Sequence, residues 1–288
     1  MTPAESSKVP PKLQVVYRES VVSLLDVLGF RRLVQDAGQD ASTVYRVLSA
    51  LRRGARPRQV DTTMLRMEFT AFSDNVVRST PLDLLPSPEA TTDVLLLELA
   101  HLADAQKKLL RYRILVQGGV TIGGVYHDRR RGMVFGPALN RAYELMKEKA
   151  HHARIVVDPD ALAFCRGPGR HHSDQRVTRL RESLHDDSGV MSVDYLQDEG
   201  GIVGPGWPNW RAYMRTLCDH KETILRYWSS ARSCERELDR CRWLAGYHNY
   251  FCCAYASQLR GGCSEVKRYV KKLQMLRVTL PQTEGNPA

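Results

Sequence analysis

Residues 70–77, TAFSDNVV, place an aspartate inside a run of strand-forming residues, and the fold depends on how that aspartate is explained. Phe72 and the Val76–Val77 pair are typical of a strand interior, whereas aspartate is among the residues least favoured in strands. A carboxylate beside a core costs free energy unless something compensates it. One interpretation is a hairpin, because Ser73-Asp74-Asn75 is good turn chemistry. The other is that a second part of the chain also requires Asp74.

The composition is that of an ordinary globular protein. The chain has 288 residues, of which 43% are hydrophobic and 26% charged, enough to bury a substantial core. No apolar run approaches the roughly 20 residues of a membrane helix, and residues 1–12 lack the basic-then-apolar layout of a secretion signal. Seven cysteines without a C-x-x-C pair indicate reduced thiols. We therefore expect a cytoplasmic protein that binds no membrane.

The net charge is +10, from 42 Lys and Arg against 32 Asp and Glu. Such a balance favours polyanionic partners: nucleic acid, an acidic membrane or a nucleoside triphosphate. The basic residues are scattered, and the tightest run, Arg129–Arg131, is typical of a solvated hairpin tip. Without a basic stripe interleaved with aromatic residues, nucleic-acid binding is the less favoured interpretation, and we expect no nucleic-acid partner.

Strand and helix patterns alternate along the first 160 residues. Strands are predicted at 15–26, 62–72, 76–79, 113–128, 132–136 and 154–159, and helical stretches at 30–53, 91–110 and 137–150. This order predicts an α+β fold in which helices pack on a largely antiparallel sheet.

The C-terminal part of the chain is predicted to be helical. A loop containing His171, His172 and His185, with one strand at 190–196, precedes it. One face of a long helix is then predicted by the spacing of eight residues: Cys234, Leu238, Cys241, Leu244, His248, Cys252, Tyr255 and Leu259. These patterns divide the chain into a flexible N-terminus (1–12), a main domain (13–205), a C-terminal helical extension (206–280) and a flexible tail (281–288).

A second aspartate, Asp26, ends the first predicted strand in LLDVLGF, residues 24–30. It can be explained as a helix cap, since an aspartate before a helix start accepts orphan N–H bonds. If the two strands are neighbours, however, Asp26 and Asp74 meet at one end of the sheet, where unpaired carboxylates repel. A divalent metal removes this penalty, and carboxylates with phosphate oxygens commonly hold Mg²⁺. The helix after Asp26 would direct free N–H groups toward a polyphosphate, so the set predicts a phosphoryl-transfer site.

Four blocks of sequence together resemble one family. In order they are LLDVLGF, AFSDNVV, QGGVTIGGVYHD and VFGPALNRAYELMKEKA. They resemble the class III nucleotidyl cyclases, and most closely the bacterial pyrimidine cyclases of the Pycsar anti-phage systems. The resemblance covers residues 18–160, and VDYL and WLAGYHNY are similar to that family's C-terminal part. It implies a class III cyclase-like α+β catalytic domain that forms a head-to-tail homodimer with composite active sites.

The resemblance also assigns roles to residues. Asp26 and Asp74 match two aspartates that hold two divalent ions, Mn²⁺ or Mg²⁺. The next four positions match a segment whose backbone serves the site: Val27 and Leu28 toward metal and phosphate, Gly29 and Phe30 in the phosphate-cradling turn. Asn140 matches an asparagine that the partner chain directs at the ribose, although it can also be explained as a helix-surface residue.

Several positions depart from the family pattern. The transition-state arginine falls on Glu144, and Arg141, one turn closer, is a candidate substitute. The arginine that often opens the glycine-rich strand is Gln117. The two purine-reading positions fall on Thr70 and Met133, which argues against ATP and GTP and suits a smaller base. Tyr45 is a candidate for narrowing the base pocket, and a core position is its other explanation.

The resemblance predicts an enzyme that converts UTP or CTP to 3′,5′-cyclic UMP or cyclic CMP plus pyrophosphate. UTP is slightly favoured, although no residue decides between them. The product would be a second messenger in anti-phage defence, bound by a separate effector protein. Two alternatives are a nucleotide sensor with a degenerate cyclase fold, favoured by Glu144 and Gln117, and a basic nucleic-acid-binding protein.

Overall fold

A computed structural model describes residues 15–57, 63–87, 89–166, 175–197, 210–231, 234–258 and 264–281, with the backbone alone at 210, 257–258 and 264–269. The predicted flexible N-terminus, nearly all of the predicted tail, and the histidines His171 and His172 lie outside the described residues.

The centre of the fold is a sheet of eight strands. They are β1 Arg18–Val27, β2 Glu68–Phe72, β3 Asn75–Pro81, β4 Val116–Asp128, β5 Met133–Phe135, β6 Ile155–Val157, β7 Leu184–Asp187 and β8 Val190–Val193. The order is β2-β3-β1-β4-β6-β8-β7, with β5 paired to β4. The β4–β6 pair is parallel and the other pairs are antiparallel.

Helices pack on both faces of this sheet, which confirms the predicted α+β class. They are α1 Phe30–Ala37, α2 Ser42–Ala55, α3 Ala90–Leu110, α4 Pro137–Glu148, α5 Pro159–Arg166, α6 Gln175–Glu182, α7 Trp210–Ser230, α8 Glu235–Gln258 and α9 Ser264–Leu276. No helix of the described residues has the length and apolar character needed to cross a bilayer.

The structure corrects several predicted elements. The helical stretch 30–53 is divided into two helices, as the predicted element order requires, because Gly38 adopts φ 55° and ends α1. Strand β2 begins at Glu68 rather than residue 62, and residues 63–64 are helical. The region predicted as a histidine loop contains α5, α6 and β7, and His185 lies on β7. In the predicted helical stripe, Cys234 is exposed and Leu259 lies outside the described residues. The other six members are buried on α8: Leu238, Cys241, Leu244, His248, Cys252 and Tyr255.

Strand β1 is buried on both faces. Val21 and Leu25 belong to a large core that also contains residues of α2, α3, α7 and α8. Val22 and Leu24 alternate onto the opposite face, in a smaller core with Ala142 and Leu145 of α4. This two-sided burial explains the continuous apolar run of β1, since alternation is expected only where one face is solvated.

The small core depends on a close approach between α4 and β4. A Cβ on Gly119 would lie 2.2 Å from the Ala142 carbonyl oxygen, and one on Gly118 would lie 2.3 Å from the Leu24 carbonyl oxygen. No side chain can be accommodated at such distances, so the glycines of VQGGV are required by packing rather than by turns.

The large core contains a buried ion pair. Arg78 of β3 is 2% exposed, and its Nη2 lies 2.8 Å from Glu98 Oε2 on α3. Ser23 of β1, in register with Arg78, donates its hydroxyl to Glu98 Oε1 at 2.5 Å. Arg78 Nη1 donates to the Ala55 carbonyl oxygen at the end of α2, at 2.6 Å. One guanidinium therefore connects two central strands with two helices.

The Arg78–Glu98 pair yields a stability prediction. Glu98→Leu leaves a buried guanidinium without its carboxylate, and we expect the free energy of unfolding to fall by about 3–5 kcal/mol. The double variant Arg78→Met/Glu98→Leu removes both charges and should lose less than Glu98→Leu alone. Urea unfolding of the three proteins measures both effects. A Glu98→Leu protein as stable as the parent would contradict the role of the pair.

Candidate active site

Asp26 and Asp74 lie together at one end of the neighbouring strands β1 and β3. Asp26 pairs in register with Asn75, the residue after Asp74. Asp74 lies in the β2–β3 turn, where Ser73 adopts φ 51° and the Asp74 carbonyl oxygen accepts the Val27 N–H at 3.2 Å. The two explanations of Asp74 are therefore compatible, because the hairpin turn itself brings the second carboxylate to the end of β1.

The electrostatics of this pair are unfavourable without a cation. Burial raises the pKa of Asp26 to about 6. Gln117 Nε2 donates to Asp26 Oδ2 at 2.8 Å and lowers that pKa, whereas the hydrogen bond and the charge of Asp74 raise it. The Lys147 ammonium on α4 gives a smaller lowering. Sequence reasoning noted Gln117 only as a departure from a family pattern and missed Lys147.

The two carboxylates fit a divalent ion that takes most of its other ligands from water and substrate rather than from protein side chains. Across the described ranges, no cluster of three or more His, Cys, Asp or Glu side chains is placed to hold a metal. Two neighbouring carboxylates, of which Asp26 has a raised pKa, suit Mg²⁺ or Mn²⁺, since such ions are usually held by one or two carboxylates plus waters and substrate phosphates.

The N-terminus of α1 is uncapped and has free space around Gly29. Gly29 adopts φ 75° and ψ 16° as the N-cap, no side chain caps the helix, and no other atom lies within 4 Å of a Cβ built there. The positive φ favours glycine. The Leu28 N–H donates to the Leu115 carbonyl oxygen at 2.9 Å, and the Leu28 carbonyl oxygen accepts the Tyr227 hydroxyl at 3.2 Å. N–H groups for a phosphate therefore begin at Gly29 and continue to Phe30.

Asn140 is exposed on α4 and lies far from Asp26 of its own chain. Two contacts set the position of α4 along β4: Ala138 packs against Gly123, and Ala142 packs against Gly119. Asn140, midway between them, therefore lies level with Thr121. Thr121 is in register with Val22 of β1. Val22 precedes Asp26 by four residues, which is about 13 Å of strand. An asparagine side chain cannot span this distance within one chain.

Arg141 is held in an ion pair, which weakens the hypothesis that it replaces the missing arginine. Its Nε and Nη2 each lie 2.9 Å from an Asp158 carboxylate oxygen, and Thr121 donates to the same carboxylate at 2.7 Å. These bonds lower the pKa of Asp158 against the effect of burial. Glu144 is exposed, 3.9 Å from Arg141. The bidentate geometry indicates that Arg141 joins α4 to the end of β6.

Thr70 lies beside the β4–β5 hairpin that carries Met133. Its hydroxyl is 2.9 Å from His127 Nε2, and His127 Nδ1 is 2.8 Å from the Ser79 hydroxyl. Burial lowers the pKa of His127 to about 4, so the ring is neutral at physiological pH. Met133 is 52% exposed and pairs in register with Asp128. Sequence reasoning did not single out His127, which has no motif around it.

Tyr45 is 73% exposed on α2. The explanation that it is a core tyrosine is therefore wrong for the single chain, and its predicted contact with a base stays a prediction.

Comparisons with known proteins give structural likenesses only. No family model and no curated protein matches the chain. Among solved structures, the adenylyl cyclase CyaB from P. aeruginosa is 11% identical, over 63% of this chain and 94% of that one, with TM-score 0.39. The guanylyl cyclase Cya2 is 13% identical, over 63% of this chain and 94% of that one, with TM-score 0.36. A class III adenylyl cyclase-like ATP-binding protein from Pseudomonas aeruginosa is 13% identical, over 59% of this chain and 40% of that one, with TM-score 0.38. All three TM-scores are below 0.5, so these likenesses carry no argument about function.

The raised pKa of Asp26 predicts a pH-dependent penalty in the metal-free protein. The folded pKa of about 6 exceeds the ordinary value of 3.8. Protonated Asp26 therefore stabilises the folded state at low pH, and this contribution to the free energy of unfolding is lost as the pH rises from about 4 through about 6. Asp26→Asn keeps an acceptor for Gln117, so it should raise the melting temperature by a few degrees at neutral pH and change it little near pH 4.

Thermal unfolding in EDTA measures this effect. Asp239→Asn, at an exposed position on α8, is the matched control and should change nothing. Equal melting temperatures of Asp26→Asn and parent at neutral pH would show that the carboxylate pair carries no such penalty.

Proposed function

We propose that this protein is a metal-dependent nucleotidyl cyclase acting on a pyrimidine nucleoside triphosphate. The observation that carries the proposal is the meeting of Asp26 and Asp74 beside the uncapped start of α1. In the reaction, the ribose 3′-oxygen bonds to the α-phosphorus and loses its proton. The bond from that phosphorus to the β-bridging oxygen breaks, and pyrophosphate leaves with a 3′,5′-cyclic nucleotide.

Two divalent ions, Mn²⁺ or Mg²⁺, are the proposed cofactors. When bound, they would lower the pKa of the ribose hydroxyl and hold the triphosphate. Asp26 and Asp74 would hold them, with the Val27 backbone as a further candidate ligand. The Gln117 amide keeps Asp26 oriented, and the N–H groups of Gly29 and Phe30 bind phosphate oxygens.

A complete site requires two chains. Asn140 lies about 13 Å along the strand from its own Asp26. Met133 is farther away from Asp26. It pairs with Asp128, near the end of β4 that extends past β1. The last residue of β4 that pairs with β1 is Val125, opposite Arg18, at the other end of β1 from Asp26. Large apolar side chains are exposed around these elements, including Phe72, Phe135 and Tyr143. We therefore propose a head-to-tail homodimer in which residues 13–205 form the catalytic domain and Asn140 reaches the partner's metal site.

The base pocket supports a pyrimidine. The Thr70 hydroxyl is bonded to neutral His127, and Met133 offers no hydrogen bond to a base edge. A purine in such a site would leave polar groups of its edge without hydrogen-bond partners, which costs binding free energy. UTP and CTP are the proposed substrates, with UTP slightly favoured. The cyclic product would serve anti-phage signalling through a separate effector protein.

One observation favours a second candidate, a nucleotide sensor with a degenerate cyclase site. Arg141 is occupied by Asp158, and Glu144 stands where the family has an arginine. Such a protein would bind a nucleoside triphosphate and metal but release no cyclic product.

Incubation with each nucleoside triphosphate and Mn²⁺, followed by mass detection of cyclic products, tests the proposal. We expect product from UTP or CTP and little from ATP or GTP. Asp74→Asn should lower the rate by about 10³-fold or more while the fold is kept, since both the positioning and the charge of the metal are lost. Binding without any product would favour the sensor, and near-native turnover by a folded Asp74→Asn protein would exclude the two-metal site.

Mixing two inactive variants tests the shared site. Asp74→Asn and Asn140→Ala should each be nearly inactive. In a mixed dimer one site carries both lesions and the other carries neither, so random exchange should restore roughly a quarter of the parent activity. Native mass spectrometry confirms that subunits exchange. If they exchange and the mixture stays inactive, Asn140 does not act across the dimer.

A further inference from the structure

A cavity of about 440 Å³ lies behind the catalytic turn, between α1–α2 and the C-terminal helices α7 and α8. Its inner wall is Val27–Gly29, but neither Asp26 nor Asp74 lines it. Val27 faces the large core, and side chains alternate along β1, so Asp26 points to the other side of the sheet. The volume lies within the range of small-molecule sites. The cavity is therefore separate from the carboxylate pair.

The wall of this cavity is strongly basic. Five arginines line it against two acids, Asp36 and Glu237; the arginines are Arg32, Arg46, Arg113, Arg226 and Arg240. They come from α1, α2, the segment before β4, α7 and α8, so the tertiary fold rather than one charged run gathers them. Convergent guanidinium groups on a concave wall are the usual means of binding phosphate or carboxylate.

Two of these arginines are neutralised within the chain. Arg32 lies 3.2 Å from Glu237 and 3.7 Å from Asp36, which accounts for both acids of the wall. Arg113 pairs with Asp219 at 2.8 Å and also with Glu222.

The other three cations are not held in ion pairs. Within the part of the chain that the structure describes, Arg46, Arg226 and Arg240 form no salt bridge. Two of them still interact with an acid at longer range, Arg46 with Asp40 and Arg240 with Glu237. Arg46 donates to the Thr43 hydroxyl at 3.1 Å, and Arg240 donates to the His151 carbonyl oxygen at 2.8 Å. Burial, together with the nearby Arg236 charge, lowers the pKa of Arg240 against the opposing effect of the Glu237 carboxylate. An anion in the cavity would add the close ion pairs that these three guanidinium groups do not form within the described chain.

The remaining wall is apolar and aromatic. Leu33, Val47 and Leu244 line it together with the ring of Tyr112, which is 52% exposed. A bare inorganic anion would leave this surface in water, whereas a ligand with a flat ring beside its phosphate would cover it.

We propose that this cavity binds a phosphorylated small molecule of mononucleotide size, and that through it the C-terminal helices act on the catalytic turn. The phosphate contacts Arg46, Arg226 and Arg240, and the ring lies against Tyr112 and the apolar wall. The volume, the three cations that form no salt bridge within the described chain and the apolar wall all match one such ligand.

A direct contact connects the cavity with the catalytic turn. The Tyr227 hydroxyl on α7 lines the cavity and donates to the Leu28 carbonyl oxygen at 3.2 Å, one residue before Gly29. A ligand that bridges α2 and α7 would fix the position of Tyr227, and hence of the turn that leads into α1. Linkage requires that any such effect be reciprocal, so binding in the cavity and binding at the turn influence each other equally.

Isothermal titration of the full-length protein with 5′-UMP in EDTA tests the site without metal or turnover. We expect Arg46→Ala/Arg226→Ala to weaken UMP binding by about tenfold or more, because each charge-assisted bond contributes substantially. Arg215→Ala, at an exposed position on α7 outside the cavity, is the matched control and should bind as the parent does. Uridine, which has the ring without the phosphate, should bind much more weakly than UMP.

The variant Asp74→Asn distinguishes binding in the cavity from binding at the metal site. It should leave UMP binding unchanged, because Asp74 does not line the cavity. Equal UMP binding by the parent and the double arginine variant would overturn the proposal. So would loss of UMP binding in Asp74→Asn, or a parent protein that binds no UMP at millimolar concentration.

The effect on the turn rests on the proposed cyclase function and has its own test. UMP should change the rate of cyclic product formation in the parent and in Arg215→Ala, but not in Arg46→Ala/Arg226→Ala. Tyr227→Phe should bind UMP with little change in affinity while its rate no longer responds. An unchanged parent rate at saturating UMP would overturn the coupling. A chain that binds UMP but makes no cyclic product would overturn the cyclase function and leave the binding site supported.

Discussion

The buried ion pair between Arg78 and Glu98 is the constraint on which the central sheet depends. Two charges in a core are unfavourable unless their hydrogen bonds are complete, and here the carboxylate accepts from both Arg78 and Ser23. Ser23 and Arg78 are partners in register, so the completed network is compatible with one alignment of β1 and β3. That alignment places Asp26 opposite Asn75 and therefore beside Asp74. The Asp26–Asp74 carboxylate pair is thus positioned by an ion pair on the other face of the same two strands.

On the other face of the sheet, where α4 packs, close contact is possible because glycines carry no side chain. Gly119 lets the backbone of α4 reach β4, and the contact of Ala142 with Gly119 fixes how far along the sheet α4 sits. This placement holds Asn140 away from Asp26 of the same chain. The close packing that builds the small core is thus also the reason that one chain cannot complete the proposed active site. Dimerisation would then be a requirement of the reaction geometry.

The arginines of this basic chain have different physical roles. Arg78 and Arg141 are structural, each bonded to a carboxylate that is almost fully buried. Those around the cavity behind Gly29 are only partly neutralised, and three form no salt bridge in the described part of the chain. The net charge of +10 predicted an anionic partner. Only the distribution of ion pairs shows which cations remain available for one.

The sequence by itself determined the α+β class, the hairpin at Ser73-Asp74-Asn75, the long helix α3 and the start of α4 after Gly136. These features follow from local periodicity and turn chemistry, which act within a few residues. It also placed both aspartates at strand ends. Tertiary structure alone decided that Arg141 belongs to Asp158, that Thr70 meets His127, and that Arg78 meets Glu98, across 17, 57 and 20 positions. The short elements between 159 and 187 escaped prediction for a related reason, since segments of four to eight residues are stabilised by the surfaces they pack on and carry little periodicity of their own.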